Sequence, residues 1–238
     1  MMWRAILSLM VLLVFAPVAF AQDSLAQQFT VTLRGIKIGV ATLNGSLSQG
    51  RYSGASQFAS TGLIGQLGKV AFVMKATGDR SGAQFLPLLY SEEVQTGRRN
   101  STAELRYSGG VPSLTGGKLG ADNAPTLDPA SQGGTLDPLT PLLMIARPQP
   151  PEGICRLDRH IFDGARRTRL VLAPGPVSAD GPTCTGRLDR LAGYSPEQMA
   201  ERRSFDFTVQ YGPASNGMVQ VDRITANSLF GPVTLTRR

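Results

Sequence analysis

The sequence predicts an all-β, mainly antiparallel protein. The expected form is a single curved sheet, an open barrel, with one apolar helix at about residues 138–147 packed in its concave face. Three observations predict this. Segment after segment alternates apolar and polar residues with a period of two, the pattern of a sheet buried on one face. Turn residues punctuate these segments at short intervals. One stretch, "TLDPLTPLLMIAR" (Thr135–Arg147), breaks the rhythm with helix-starting chemistry and is apolar nearly all round.

The chain opens with "MMWRAILSLMVLLVFAPVAFAQDS". Arg4 supplies a positive start, Ala5–Ala16 an apolar run of secretory length, and Ala19-Phe20-Ala21 a small-x-small cleavage site. Residues 1–21 therefore read as a signal peptide cleaved after Ala21, and residues 22–238 as one domain. The apolar run falls short of the roughly 18 residues that a spanning helix needs, so no stable membrane insertion is expected after cleavage. The expected location is the periplasm.

The first strands are "FTVTLRG", with Phe29, Val31 and Leu33 on one face, then "IKIGVATLNGSL" and "RYSGASQFAS". Asn44-Gly45 fits either a tight turn or a bulge. "TGLIGQLGK" (Thr61–Lys69) reads as a short helical turn or an apolar loop covering a barrel end. "VAFVMKATGD", "QFLPLLYSEEVQ" and "STAELRYSGG" resume the strands. Residues 108–134 are rich in Gly, Pro, Ser and Asp and read as a mobile surface loop. In the helix that follows, Asp137 is the expected N-cap and Pro138 the first helical residue, and Pro148, Pro150 and Pro151 stop it. "RLDRHIF" and "RRTRLVLA" flank Asp163-Gly164, a strong hairpin signal, and "CTGRLDRLAGY" is the third strand of that meander. "SPEQMAERR" has a capping-box start at Ser195 and Gln198. "SFDFTVQYG", "MVQVDRITANS" and "LFGPVTLTRR" complete about ten strands. Their concave face would carry Phe29, Val31, Phe72, Leu170, Leu172, Phe205, Phe207, Val219 and Val221, and the helix would plug it.

Export also bears on the two cysteines, Cys155 and Cys184. An even number in an oxidising compartment points to one disulfide, worth around 3.5 kcal/mol in the chain-entropy model; two buried thiols are the alternative. Both cysteines open strands two spacings apart in the meander, about 9.6 Å, whereas a disulfide tolerates Cα atoms only to about 7 Å. A bond therefore requires a strongly curved meander or a loop curled under the middle strand.

"LDPLTPLLMIAR", Cys155, "IFDGARRTRLVL", Cys184, "RLAGY" and the closing "FGPVTLTRR" resemble the bacterial family known as domain of unknown function 3108 (DUF3108). The resemblance spans about Gln28 to Arg238. It implies an exported envelope protein of curved β architecture and carries no active site with it. At the level of fold the arrangement is also similar to β-spiral envelope proteins and half-barrel lipoprotein carriers.

Chemistry is sparse. His160 is the sole histidine, so any Ser-His-Asp site must use it, and no Gly-x-Ser-x-Gly elbow accompanies it. Glu92 and Glu93 are strand neighbours that point to opposite faces and cannot flank one bond. Two cysteines and one histidine make no usual zinc site. No catalytic residue, metal or cofactor is expected. The net charge of +7 comes from 20 Arg and 4 Lys scattered along the strands. Export argues against nucleic acid, and a lipid or an envelope protein is the expected partner. A candidate ligand groove comprises Leu139, Leu142, Leu143, Ile145, Phe205 and Phe207. A candidate anion patch comprises Arg156, Arg159, Arg166, Arg167 and Arg169, with salt pairing to Asp158 and Asp189 as its alternative. The expected function is non-enzymatic: binding a hydrophobic or amphipathic ligand, or an envelope partner, in support of the envelope. The second reading is a scaffold that binds an anionic partner through its basic surface, and the third a hydrolase using His160.

Overall fold

The computed structural model describes residues 23–48, 50–62, 70–96, 99–119, 125, 127–176 and 178–238. The expected signal peptide with its expected cleavage site, and residues 63–69 of the expected barrel-end loop, lie outside these.

Thirteen strands form one antiparallel sheet: β1 (Asp23–Leu33), β2 (Ile36–Leu47), β3 (Gly50–Ser60), β4 (Ala71–Ser81), β5 (Gln84–Gln95), β6 (Asn100–Ser108), β7 (Val111–Gly116), β8 (Leu157–Phe162), β9 (Arg167–Pro174), β10 (Thr183–Ala192), β11 (Ser204–Pro213), β12 (Val219–Ser228) and β13 (Gly231–Arg237). Helix α1 (Leu139–Ala146) falls between β7 and β8, and α2 (Pro196–Glu201) between β10 and β11. The strand order is β7-β6-β5-β4-β3-β2-β1-β13-β12-β11-β10-β9-β8. Two meanders are therefore joined where β1 pairs with β13, Phe29 opposite Arg237 and Leu33 opposite Val233. The first and last strands meet mid-sheet, and the middle of the chain, carrying α1, spans the two free edges.

The alternation read from the sequence is the alternation that buries the inner face. In β6, Ser101, Ala103, Leu105 and Tyr107 are buried and the residues between them exposed. Register breaks in β1, β4, β6, β10 and β11 bend the sheet as bulges do. The bending brings the free edges together without pairing them. Leu136 bridges to Ile161 beside β8, its N–H donating to the His160 carbonyl at 2.9 Å, and the Gly134 N–H donates to the Gly110 carbonyl at 2.9 Å. The result is an open curved sheet with α1 in its concavity, as predicted.

Five details differ from the expectations. Asn44-Gly45 makes neither a turn nor a bulge but lies inside β2, in unbroken register with Ala26 and Leu25 on one side and Ala55 and Gly54 on the other. The described residues form thirteen strands rather than about ten. β1 begins at Asp23, not Phe29, because Leu25 and Gln27 continue the buried row. The stretch expected as one mobile loop, residues 108–134, instead contains β7: Gly109 and Gly110 take positive φ (56° and 78°) and make a two-residue hairpin turn. Its far part also has structure, a 3₁₀ turn at Pro129–Ser131 capped by Asp128. Residues 120–124 and 126 lie outside the described set. Finally, Cys155 and Cys184 are bonded with Cα atoms 5.2 Å apart, though not by curling a loop under the middle strand. Cys155 leaves the β8 ladder in a left-handed conformation (φ 59°) and crosses the end of β9, level with Pro174, to reach Cys184.

Candidate functional site

Helix α1 divides the interior into two ends, one holding the disulfide and one holding α2. At the disulfide end the helix packs closely on the wall, beside a smaller pocket of about 120 Å³ at Cys155 and Tyr211. Leu139 and Leu143 are fully buried. A Cβ at Gly54 would lie 2.6 Å from Leu143 Cδ1, and one at Gly45 would lie 3.1 Å from Leu143 Cδ2. Both positions thus have no side chain where the helix presses on β2 and β3.

Both termini of α1 are tied to the wall. Asp137 accepts the Leu139 and Thr140 N–H groups on Oδ1, each at 2.9 Å, and the Thr140 hydroxyl on Oδ2 at 2.5 Å. With its proton so used, Thr140 accepts from the Tyr52 hydroxyl at 2.7 Å. Asp137 is the predicted cap, and Pro138 before the helix already has helical dihedrals (φ −62°, ψ −28°). The Asp137 carboxyl is fully buried, and burial pushes its pKa up to about 6 against the hydrogen bonds that hold it down. At the other terminus the Tyr211 hydroxyl and Gln149 Nε2 donate to the Ile145 carbonyl, and Gln27 Nε2 donates to that of Ala146. These satisfy carbonyls that a helix end leaves open.

At the α2 end the interior holds a cavity of about 820 Å³. Its walls are chiefly apolar, with Phe29, Phe72, Met74, Leu170, Phe205 and Phe207 among them. Leu142 turns away from the packed end toward this cavity and is 37% exposed, whereas its neighbour Leu143 is buried. Of the predicted groove residues, Leu142, Ile145, Phe205 and Phe207 line the cavity. Leu139 and Leu143 belong to the packed side.

One stretch of wall is polar. Arg99, just before β6, donates to Glu92 Oε1, to Asp163 Oδ2 at 3.1 Å and to Ser101 Oγ at 2.6 Å. The Tyr90 hydroxyl donates to Glu92 Oε2 at 2.8 Å. Asp163 in turn accepts the Ala165 and Arg166 N–H groups, which fixes the β8–β9 turn. The Glu92 side chain is only 3% exposed, and burial raises its pKa although Arg99 opposes the shift. For Arg99, burial disfavours the charge, but the Asp163 and Glu92 carboxylates outweigh it and the pKa rises. This network ties β5 and β6 to the opposite free edge.

Beside it, arginines and aromatic rings alternate. Arg166 lies 5.5 Å from the Tyr194 ring centre, Arg190 5.0 Å from both Tyr194 and Phe205, and Arg202 5.3 Å from Phe205. Burial first, and Asp163 next, push the Tyr194 hydroxyl up to about 12.

The five arginines expected as an anion patch do not converge. Arg166 lines the cavity. Arg167 meets His160 Nδ1 at 2.9 Å, and Arg169 holds Asp158 in two bonds of 2.8 and 2.6 Å. Arg159 donates to the Asp158 carbonyl, and Arg156 is exposed. Asp189 pairs with Arg187 rather than with this group. His160 does not line the cavity; burial first, and Arg167 next, lower its pKa. Among the described residues no three His, Cys, Asp or Glu side chains gather in a way that could hold a metal ion.

Sequence reasoning missed Arg99, Tyr194, Arg190 and Arg202. It placed Glu92 and Glu93 on opposite faces, and Glu92 is buried while Glu93 is exposed. The missed signal was that a carboxylate on the inward row of β5, between Tyr90 and Val94, needs a cation.

The family model described as "Protein of unknown function (DUF3108)" matches residues 28–173, which run from β1 through β9. No curated protein matches the chain. Among solved structures it is similar to a β-barrel-like protein of domain of unknown function DUF1849 from Brucella abortus. The two are 12% identical with a TM-score of 0.49, over 92% of this chain and 98% of the other.

Proposed function

We propose that this chain, which belongs to the DUF3108 family of proteins of unknown function, is a non-enzymatic periplasmic protein that holds an apolar or amphipathic ligand in the cavity above α1 and thereby supports the cell envelope. The observation that carries this reading is the cavity itself. At about 820 Å³ it falls within the range of small-molecule sites, about 300–1,000 Å³, and it has the expected make-up of apolar walls with a few convergent polar groups. The apolar walls would take acyl or ring carbon. The Arg99 network and Tyr194 would face the polar part. Because α1 is bonded at both termini, it serves as the floor of the site rather than as its gate.

The scaffold reading has less behind it. Three arginines, Arg169, Arg187 and Arg237, are already paired with Asp158, Asp189 and Asp222.

The test is binding of cis-parinaric acid, a fluorescent acyl chain, to delipidated protein. Saturable binding that survives high salt is expected, since salt screens charge and does not weaken apolar burial. Ser56→Trp, which places a ring in the cavity, should abolish binding while thermal unfolding stays cooperative. Unsaturable binding, or equal binding by the Trp variant, overturns the proposal.

A further inference from the structure

The cavity opens at the α2 end, and that rim has a chemistry of its own. Among the described residues the two most exposed large apolar side chains are Ile36, at 63%, and Phe230, at 58%. They stand on the β1–β2 and β12–β13 turns, which are neighbours because β1 pairs with β13. The turns are bonded together. The Arg34 N–H donates to the Pro232 carbonyl at 2.8 Å, and Arg34 Nε donates to the Phe230 carbonyl at 2.9 Å. The two apolar tips are therefore held in place side by side, and Phe230 and the adjoining Leu229 also border the cavity. Leu191, 42% exposed, ends β10 at the same end of the sheet.

Around the tips the charge is mostly positive. Arg34, Lys37 and Arg203 are exposed. Arg166, Arg190 and Arg202 stand behind them, half-buried among Tyr194 and Phe205. The facing acids are Glu197 and Glu201 on α2, together with Glu92 and Asp163, which Arg99 already engages. Apolar tips fixed among bases at the mouth of an apolar cavity are complementary to a surface that is apolar beneath and anionic on top.

We infer that the α2 end is a docking surface for a lipid bilayer bearing anionic headgroups, entered by Ile36 and Phe230 while Arg34, Lys37 and Arg203 meet the headgroup phosphates. Docked this way, the cavity mouth faces the bilayer, so an amphiphile passes between the two without crossing water. The surface does not depend on what the cavity holds.

Vesicle flotation tests this, using the chain from Gln22 onward. That chain keeps every strand and helix described here and lacks the apolar residues of the signal peptide, which would bind vesicles by themselves. Binding is expected to phosphatidylcholine vesicles containing about a third phosphatidylglycerol, and to be much weaker without it. The Ile36→Ser/Phe230→Ser double variant should lose more than about tenfold in vesicle affinity. Lys37→Glu/Arg203→Glu should lose at least as much on the anionic vesicles alone. Leu89→Ser, an exposed position on the outer face of β5, should change nothing. Equal flotation of the double variant, or none by the parent chain, overturns the inference. So does light scattering that shows a dimer dissolved by the same pair of changes, which would assign the rim to a second copy. Parinaric acid binding in solution is measured on the same variants. Its loss speaks against the cavity, and its retention beside lost flotation isolates the rim.

Discussion

Leu143 and Leu142 are consecutive residues of one helix in two different environments. Leu143 presses on Gly54 and Gly45 and has no contact with solvent. Leu142 faces the cavity of about 820 Å³. The same sheet walls both regions with the same alternation, so the wall pattern does not separate them. Two other things do. At the disulfide end the wall carries glycines where the helix arrives, which lets α1 pack closely there. At the α2 end the inward row carries Phe29, Phe72, Phe205 and Phe207, which hold the walls apart across the cavity.

The polar groups of the two regions differ in the same sense. Asp137 is satisfied by two amides and a hydroxyl, and no cation among the described residues bonds to it. Glu92 and Asp163 are satisfied by Arg99. A neutral partner set suits a dry, packed end, whereas ion pairs tolerate the partial hydration that a cavity brings.

The largest expected effect tests the wall of the open end. Arg99→Met removes the charge but keeps the bulk, leaving Glu92 buried with Tyr90 as its remaining hydrogen-bond partner among the described residues. Unpairing a buried charge of this kind costs about 3–5 kcal/mol, read by urea unfolding. Adding Glu92→Gln should recover most of that loss, because the stranded charge goes with it. A cost below about 1 kcal/mol for Arg99→Met would mean that water already solvates the network and that the edges close without it.

The next test compares the two leucines directly. Leu143→Ala empties a packed site and should cost about 3 kcal/mol, within the range for buried leucines. Leu142→Ala should cost less than about 1 kcal/mol, since that side chain already borders open space. Similar costs for the two would mean that the cavity is filled or collapsed in solution, and the contrast between the ends would vanish.

These contrasts were only partly legible in the sequence. Alternation located the walls, and Asp137-Pro138 followed by an apolar run located the plug and its cap, because these signals are local. The Asp163-Gly164 hairpin was legible for the same reason. The β1–β13 pairing left no local mark: it joins Phe29 to Arg237 across the whole chain. The Arg99–Asp163 contact spans 64 residues, too far to leave a local mark, so the polar wall was invisible until the sheet had curled. β7 was missed because Gly109-Gly110 reads as loop composition while acting as a turn. The route to the disulfide was missed because it depends on one left-handed residue, Cys155.

The last expected effect belongs to the dry end and carries a sign. The Asp137 carboxyl has its pKa raised by burial to about 6, whereas an unfolded aspartate titrates near about 3.9. The folded form therefore holds its proton more tightly than the unfolded chain. The associated stability is fully present below about pH 4 and is lost as pH rises from about 4 through 6. Above that window the ionised carboxylate costs the fold roughly 2–3 kcal/mol relative to a neutral group of the same shape. Asp137→Asn keeps an oxygen for the Leu139 and Thr140 amides and cannot ionise. Its stability relative to the parent chain should rise across that window and level off above about pH 7, measured by urea unfolding at several pH values. A pH-independent difference between the parent chain and the Asp137→Asn variant would show that water or a cation reaches the carboxylate, and the disulfide end would then be no drier than the cavity.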